Sequence, residues 1–322
     1  VEPPISLYNR SHLELSVEAA ERLSRDLAGH PRMSGIRVLE VLGLDERGDV
    51  FAVRLTDGRR AILKRYPGPD AAATVLRAKE ELDYIAATMS EGPLRIVRCL
   101  DADPALGIIL LSEAPGRRLV DALRASGAGR QSRLIRQASE WLAAYTATRR
   151  RVRTFDPGHW LNGCRQADRA AATPADLARL AALEEALAAR HAAYRGRPVT
   201  HAGTHADFTP RNLAVHKGVM TGYDVQGLAR FAVARDAAQF LVWSAVHCPP
   251  RGPFDRRLGL PAAHLDAFAE GGAVPEAERE TVQAFFIGIF LHTMLATRDD
   301  RSEALERIRA AVDGYLAAPL AP

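Results

Sequence analysis

Between residues 36 and 112 the apolar residues come in short β-rich runs, GIRVLEVLG, DVFAVRLTDG, RRAILKRY, LRIVRCLDAD and ALGIILLSEA. Gly, Asp-Gly and Asp-Pro turns separate them. One helical segment, DAAATVLRAKEELDYIAATM from Asp70, interrupts the series. Five strands and one helix of this spacing predict an antiparallel α+β unit. After EAPGRRL the periodicity changes. Apolar residues then recur at helical spacing over 117–126, 130–149, 175–194, 235–246, 262–270, 276–296 and 303–316. The stretch 201–224 breaks that pattern with THADFTPRN and two strand-like runs, LAVH and VMTGYD, meeting at Lys217-Gly218. The expected organisation is an N-terminal helical extension over 1–35, with Ser16 capping a helix to about residue 30. A small sheet-rich lobe follows over 36–115. A mainly helical lobe over 116–322 carries one loop and hairpin.

Composition narrows the class. The chain has 322 residues, 47% hydrophobic and 25% charged, with a net charge of +4, ordinary for a globular protein with ample core. Basic and acidic residues are interspersed, so no basic block points to nucleic acid. No apolar run reads as a membrane span. Cys99, Cys164 and Cys248 are scattered and odd in number, which predicts neither a disulfide framework nor a zinc pattern. With no signal segment at the start, the expectation is a cytoplasmic protein without nucleic-acid or membrane partners. Phosphate-loop and complete dinucleotide fingerprints are absent; GAGRQS at 127–132 lies between helices and lacks the third Gly.

The chemistry concentrates in HADFTPRN, residues 205–212, and in GYDVQG, which places Asp224 twelve residues after Asn212. Only three Asn occur in the chain, so an Asp followed five residues later by Asn is a specific pattern. Turn formation explains the residue types individually. Phosphoryl transfer explains their combination: a carboxylate orients the attacking hydroxyl, hard oxygen ligands hold Mg²⁺, and a cation steadies the phosphates not transferred. His201 and His205 are four apart and would share a helix face as zinc ligands, but VTHAGTHADFTP is a poor helix. Only three lysines exist, Lys64, Lys79 and Lys217. Lys64, in the third strand run, is either the phosphate-binding cation or an edge-strand charge. On the following helix, Val75, Ala78, Leu82, Ile85 and Met89 define a buried stripe. At about 100° per residue Glu81 flanks that stripe and Glu80 opposes it.

These residues resemble the aminoglycoside phosphotransferase and choline kinase family, which has a two-lobed protein-kinase-like fold. The likeness rests on His205-Ala-Asp207-Phe-Thr-Pro210-Arg-Asn212, Asp224-Val-Gln226, Asp236 in ARDAAQFL, Lys64 in AILKRY and the segment LLSEAPGRRLVDAL, and it spans about residues 36–296. It implies an ATP- and Mg²⁺-dependent kinase acting on a hydroxyl of a small molecule. Asp207 would be the catalytic base, Asn212 and Asp224 metal ligands, Lys64 the α- and β-phosphate contact, and Glu81 the partner that orients it. His205 would brace the loop. Arg211 would steady a phosphate or an anionic acceptor, or else be a solvated surface residue. Asp236 would support the loop, or simply cap its helix. The sequence departs from the family at Ala206, where Gly is usual, at Gln226, where an acid is common, and in having only Gly43 and Gly48 over the phosphates. These departures keep a catalytically silent nucleotide- or partner-binding relative as the alternative. Sugars, amino alcohols and aminoglycosides are candidate acceptors. Trp160, Trp243, Phe285, Phe286 and Phe290 are candidates for an aromatic cage around a quaternary ammonium.

Overall fold

The computed structural model describes residues 7–46, 48–170, 172–225, 229–297 and 302–319. The chain forms two compact units, one from Val1–Ser90, Ile96–Ala114 and Val225–Gly227, the other from Glu91–Arg95, Pro115–Asp224 and Leu228–Pro322.

In the first unit five antiparallel strands lie in the spatial order Arg37–Asp45, Gly48–Arg54, Arg60–Arg65, Ile108–Ser112, Cys99–Asp103. Alternation sends Phe51, Val53, Ala61, Leu63, Ile108 and Leu110 to one face, where Ala19, Leu23 and Leu27 of the helix Leu7–Ala28 pack on them. That helix begins before Ser16 and carries it in its interior. No Gly or Pro interrupts residues 7–28, so nothing stops the helix from running N-terminal of the expected cap. Lys64 faces the other way, in register with Val50 and Ile109. Its strand is the central one of the five, so protection of a sheet edge does not explain this lysine. The helix Ala71–Met89 packs on the strands Cys99–Asp103 and Ile108–Ser112. It buries Val75, Ala78, Glu81, Leu82, Ile85 and Met89 and leaves Glu80 exposed.

The second unit is mainly helical and contains two small sheets that position the candidate site. In the first, Pro198–Thr204 lies between Arg151–Thr154 and Ala229–Ala232, all antiparallel. In the second, Leu213–His216 and Val219–Gly222 form a hairpin. Its two turn residues, Lys217 (φ 46°) and Gly218 (φ 82°), have the left-handed conformations a tight hairpin demands. Gly222 ends the hairpin against Trp141; a Cβ there would fall 2.1 Å from the indole ring. Among the described residues one helix, Glu276–Thr297, is long and apolar enough to cross a membrane, contrary to the sequence expectation of no such run; 72% of its apolar window is buried inside the protein. The sequence hid it because the charged turn at Glu276–Glu280 opens the helix and a π-helical segment, Arg279–Gln283, joins that turn to the apolar part.

Buried ionic and polar groups set two features of stability. Asp176, fully buried on helix Pro174–Tyr194, accepts from Arg309 Nε at 2.9 Å and Nη2 at 2.8 Å, pinning the C-terminal helix Ser302–Leu316. His264 is buried, and among the described residues neither ring nitrogen finds a hydrogen-bond partner. Burial holds its pKa down to about 4. The unfolded chain therefore binds a proton near pH 6.5 that the folded chain refuses until about pH 4. This group's contribution is fully present above pH 6.5 and is lost as pH falls toward 4, by up to about 3 kcal/mol. Thermal melts from pH 7 to pH 4.5 should fall less steeply in His264→Leu than in the parent protein; parallel curves would contradict this assignment.

Candidate active site

The strand Pro198–Thr204 delivers the chain directly into His205-Ala206-Asp207. A short 3-10 turn, Pro210–Asn212, then reverses it into the hairpin. His201 and His205 are thus approached along a strand, where residues four apart are about 13 Å apart, and they form no joint zinc site. The His205 ring is enclosed by Trp141, Tyr145 and Phe208. Its Nε2 pairs with the Tyr223 carbonyl at 2.9 Å. The ring thereby ties the loop to the far end of the hairpin, the geometry of a brace.

Asp207 and Asn212 meet directly. Asn212 Nδ2 donates to the Asp207 carbonyl at 2.8 Å and to its Oδ2 at 3.0 Å. The Tyr223 N–H donates to the Asn212 carbonyl at 3.0 Å, and Leu213 pairs with Gly222 in the hairpin. This register returns the chain so that Asp224 follows immediately after the residue bonded to Asn212. Asp224 adopts φ 61°, outside the extended path of the strand before it. The Tyr223 hydroxyl donates to the Arg211 carbonyl, and burial pushes that hydroxyl up to about 12. The exposed Arg211 side chain extends from this turn.

Asp236 does not cap its helix. The helix runs Val233–His247, so Asp236 is its fourth residue. The carboxylate instead reaches the loop: Oδ2 accepts from His205 N at 2.8 Å and Ala206 N at 3.3 Å, and Oδ1 accepts from Arg235 Nη1 at 2.9 Å. Complete burial drives its pKa upward, opposed by Arg235, by His205 and by the two backbone donors. Arg235 Nη1 also donates to the Ala206 carbonyl at 2.9 Å. Both ends of the Ala206 residue are therefore held from one helix. The clamp has a purpose visible in the backbone, because Ala206 has φ 70°, a left-handed conformation disfavoured for every residue with a Cβ. Ala206→Gly should accordingly stabilise the protein by about 0.5–1 kcal/mol, read as a higher urea midpoint at unchanged slope. A lower midpoint would mean that the loop does not hold this conformation in solution.

Two contributors escaped the sequence reading. Gln239 Nε2 donates to Asp207 Oδ1 at 2.9 Å, and Arg235 packs its guanidinium over Trp160, Phe231 and Phe290, 5.0–5.3 Å from the ring centres. Residues 235, 236 and 239 recur at i, i+1 and i+4, so a helical wheel of ARDAAQF would have put them near one another once Asp236 was placed at the loop. The aromatics considered for a quaternary-ammonium cage are committed elsewhere. Trp160 and Phe290 face Arg235, Phe285 and Phe286 are buried together beside Phe155, and Trp243 lies against His247.

The donor set suits a hard cation. The Asn212 amide nitrogen is committed to Asp207, which leaves Oδ1 as the atom that could ligate a metal. With Asp224 it offers oxygen ligands only, the chemistry Mg²⁺ prefers. Among the described residues no three His, Cys, Asp or Glu side chains form a self-contained metal cluster. A site with one or two carboxylates is the kind at which Mg²⁺ shares its coordination with substrate phosphates. Lys64 and Glu81 belong to the first unit, where Glu81 is buried and Lys64 half-buried. Gln226 lies outside the described residues. Of the other lysines, Lys79 pairs with Asp83 on an exposed helix face and Lys217 turns the hairpin.

The fold recurs in solved kinase structures. An amicoumacin kinase, hAmiN, in complex with AMP-PNP, Ca²⁺ and Ami, superposes with TM-score 0.60 at 14% identity, covering 95% of this chain and 97% of that one. The GDP complex of a mutant aminoglycoside 2'-phosphotransferase-IIIa gives 0.60 at 13% identity, covering 94% and 99%. The macrolide 2'-phosphotransferase MphH from Brachybacterium faecium gives 0.52 at 19% identity, covering 92% and 98%. At these identities the likeness establishes the fold, α+β and protein-kinase-like. No curated protein sequence matches the chain. Residues 38–223, more than half of the chain, match the model of the phosphotransferase enzyme family, and the protein belongs to that family.

Proposed function

We propose that the protein is an ATP- and Mg²⁺-dependent kinase that moves the γ-phosphate of ATP to a hydroxyl group of a small molecule. The observation that carries this reading is the joining of Asp207 to Asn212, through both the Asp207 carbonyl and its carboxylate, beside the hairpin that returns Asp224. The Asp207 carboxylate accepts the proton of the attacking hydroxyl. The acceptor oxygen forms its bond to the γ-phosphorus, the bond from that phosphorus to the bridging oxygen breaks, and ADP leaves. Asn212 Oδ1 and the Asp224 carboxylate are the atoms that would hold Mg²⁺. When bound, Mg²⁺ neutralises charge on the phosphates as it spreads in the transition state. Lys64, projecting from the central strand of the first unit, is the proposed contact of the non-transferred phosphates, with the buried Glu81 as its orienting partner.

The relatives of this fold named above are kinases of amicoumacin, aminoglycosides and macrolides, which favours a small-molecule acceptor here. Commitment of the aromatic side chains to Arg235 and to the core disfavours a choline-like cage. Sugars, amino alcohols and aminoglycoside-like polyols are the acceptors to screen. ADP release measured over such a panel tests the proposal. Acceptor-dependent ADP production that requires Mg²⁺ supports it. Mg²⁺-ATP binding in a thermal-shift assay with no turnover on any acceptor would instead mark a catalytically silent relative.

A further inference from the structure

We infer that Gln239 is a positioning residue for the reaction, holding the Asp207 carboxylate in the orientation that receives the acceptor hydroxyl; this rests on the reading of Asp207 as the proton acceptor. The carboxylate is spanned by two side-chain amides, with Asn212 Nδ2 on Oδ2 at 3.0 Å and Gln239 Nε2 on Oδ1 at 2.9 Å. Neither amide can be reversed without loss. An ionised carboxylate only accepts and a guanidinium only donates. Gln239, placed between them, therefore presents its NH₂ to Asp207 and turns its oxygen to Arg235 Nη1, a longer contact at 3.4 Å that shares the Nη1 protons with the Ala206 carbonyl and Asp236. The guanidinium is in turn fixed by three aromatic rings, by Asp236 and by the Ala206 carbonyl. A continuous relay, aromatic clamp to Arg235 to Gln239 to Asp207, thus sets the plane of the carboxylate.

The same helix fixes the loop twice, at its backbone and at its reacting side chain. Asp236 and Arg235 hold its backbone at His205 and Ala206, and Gln239 holds its reacting side chain. The two functions separate by mutation, because Gln239 touches no loop backbone atom in its hydrogen bonds and is partly exposed. Each Asp207 oxygen receives one amide donor and keeps a further lone pair for the acceptor hydroxyl. Without Gln239 the carboxylate retains, among the described residues, the Asn212 bond alone on its side chain and can rotate about that contact. Misalignment of a catalytic group by about 1 Å is enough to cost on the order of 100-fold in rate.

The test uses the whole protein, with Mg²⁺-dependent ATP hydrolysis to water as the assay until an acceptor is identified. Gln239→Leu should lower kcat on the order of tenfold or more, with KM for ATP and the melting temperature little changed. Gln239→Asn, which keeps the amide but shortens its reach, should fall as far. Gln239→Glu keeps shape and packing but places a second carboxylate against Asp207. Its carboxylate offers no donor to Asp207 Oδ1, so kcat should fall as in Gln239→Leu while KM for ATP holds. A purely structural glutamine would lower the melting temperature in Gln239→Leu and leave kcat unchanged in Gln239→Glu, which keeps its shape. If Asp207→Asn abolishes hydrolysis while Gln239→Leu and Gln239→Glu behave like the parent protein, the inference is overturned and the kinase reading stands. If Asp207→Asn hydrolyses ATP at the parent rate, the reading of Asp207 falls and the inference with it.

Discussion

Asp207→Asn is expected to lower phosphate transfer by 10²-fold to 10⁴-fold, the range by which a positioned general base accelerates a reaction. The loss has two parts. An amide cannot take the hydroxyl proton. It also cannot fit the site without conflict, because both Asp207 oxygens accept from amide N–H groups, one from Asn212 and one from Gln239. An NH₂ in either position faces a donor, so one neighbour must turn away or leave a bond unmade, at about 1–3 kcal/mol. The nucleotide contacts proposed for Asn212, Asp224 and Lys64 remain available, so ATP affinity should change only a few-fold. Rapid-quench kinetics with isothermal titration of ATP separates the two effects. Turnover within about tenfold of the parent would show that another group accepts the proton.

Asp236→Ala should be the most destabilising single substitution at the site, by about 3–5 kcal/mol, the range for breaking one side of a buried ion pair. Three donors lose their acceptor at once: the His205 and Ala206 backbone N–H groups and Arg235 Nη1. Asp236 is fully buried and Arg235 nearly so, and water does not readily replace the lost partner. Arg235 keeps the Ala206 carbonyl, but one such bond does not neutralise it. Ala206 loses the clamp that maintains its left-handed backbone, and activity should fall together with stability. The double variant Asp236→Leu with Arg235→Leu should lose less than the sum of the two single changes, since it removes both charges. Urea denaturation measures each variant; a loss below about 1 kcal/mol for Asp236→Ala would mean that the loop is held in another way.

The parts of this site that the sequence displayed are those whose signals are local. The Lys217-Gly218 turn and the apolar runs beside it specify a hairpin, and the hairpin register carries Asp224 back to Asn212. The helical stripe that includes Val75 and Met89 is a matter of period alone, so the inward side of Glu81 could be read without coordinates. The three-stranded sheet behind the loop was not legible. Its middle strand, PVTHAGT, mixes small and polar residues without alternation. Its partners Arg151–Thr154 and Ala229–Ala232 are distant in sequence, and no short turn joins them to it. The helix Gly158–Arg165 was hidden because it is short and carries glycines at 158 and 163. Arg235 and Gln239 were invisible for a different reason. Their spacing puts them beside Asp236 on one helix face, but that gives them no role until Asp236 is placed at the loop; their contact with a loop some thirty residues earlier supplies it.

The central claim, that Asp207, Asn212 and Asp224 form one phosphoryl-transfer site, meets its most direct test in a crystal structure with a non-hydrolysable ATP analogue and Mn²⁺ in place of Mg²⁺. The account predicts an anomalous peak about 2.1 Å from Asn212 Oδ1 and from an Asp224 oxygen, with the γ-phosphate directed toward Asp207. A nucleotide bound with its metal away from Asn212 and Asp224, or with its γ-phosphate directed away from Asp207, would contradict it.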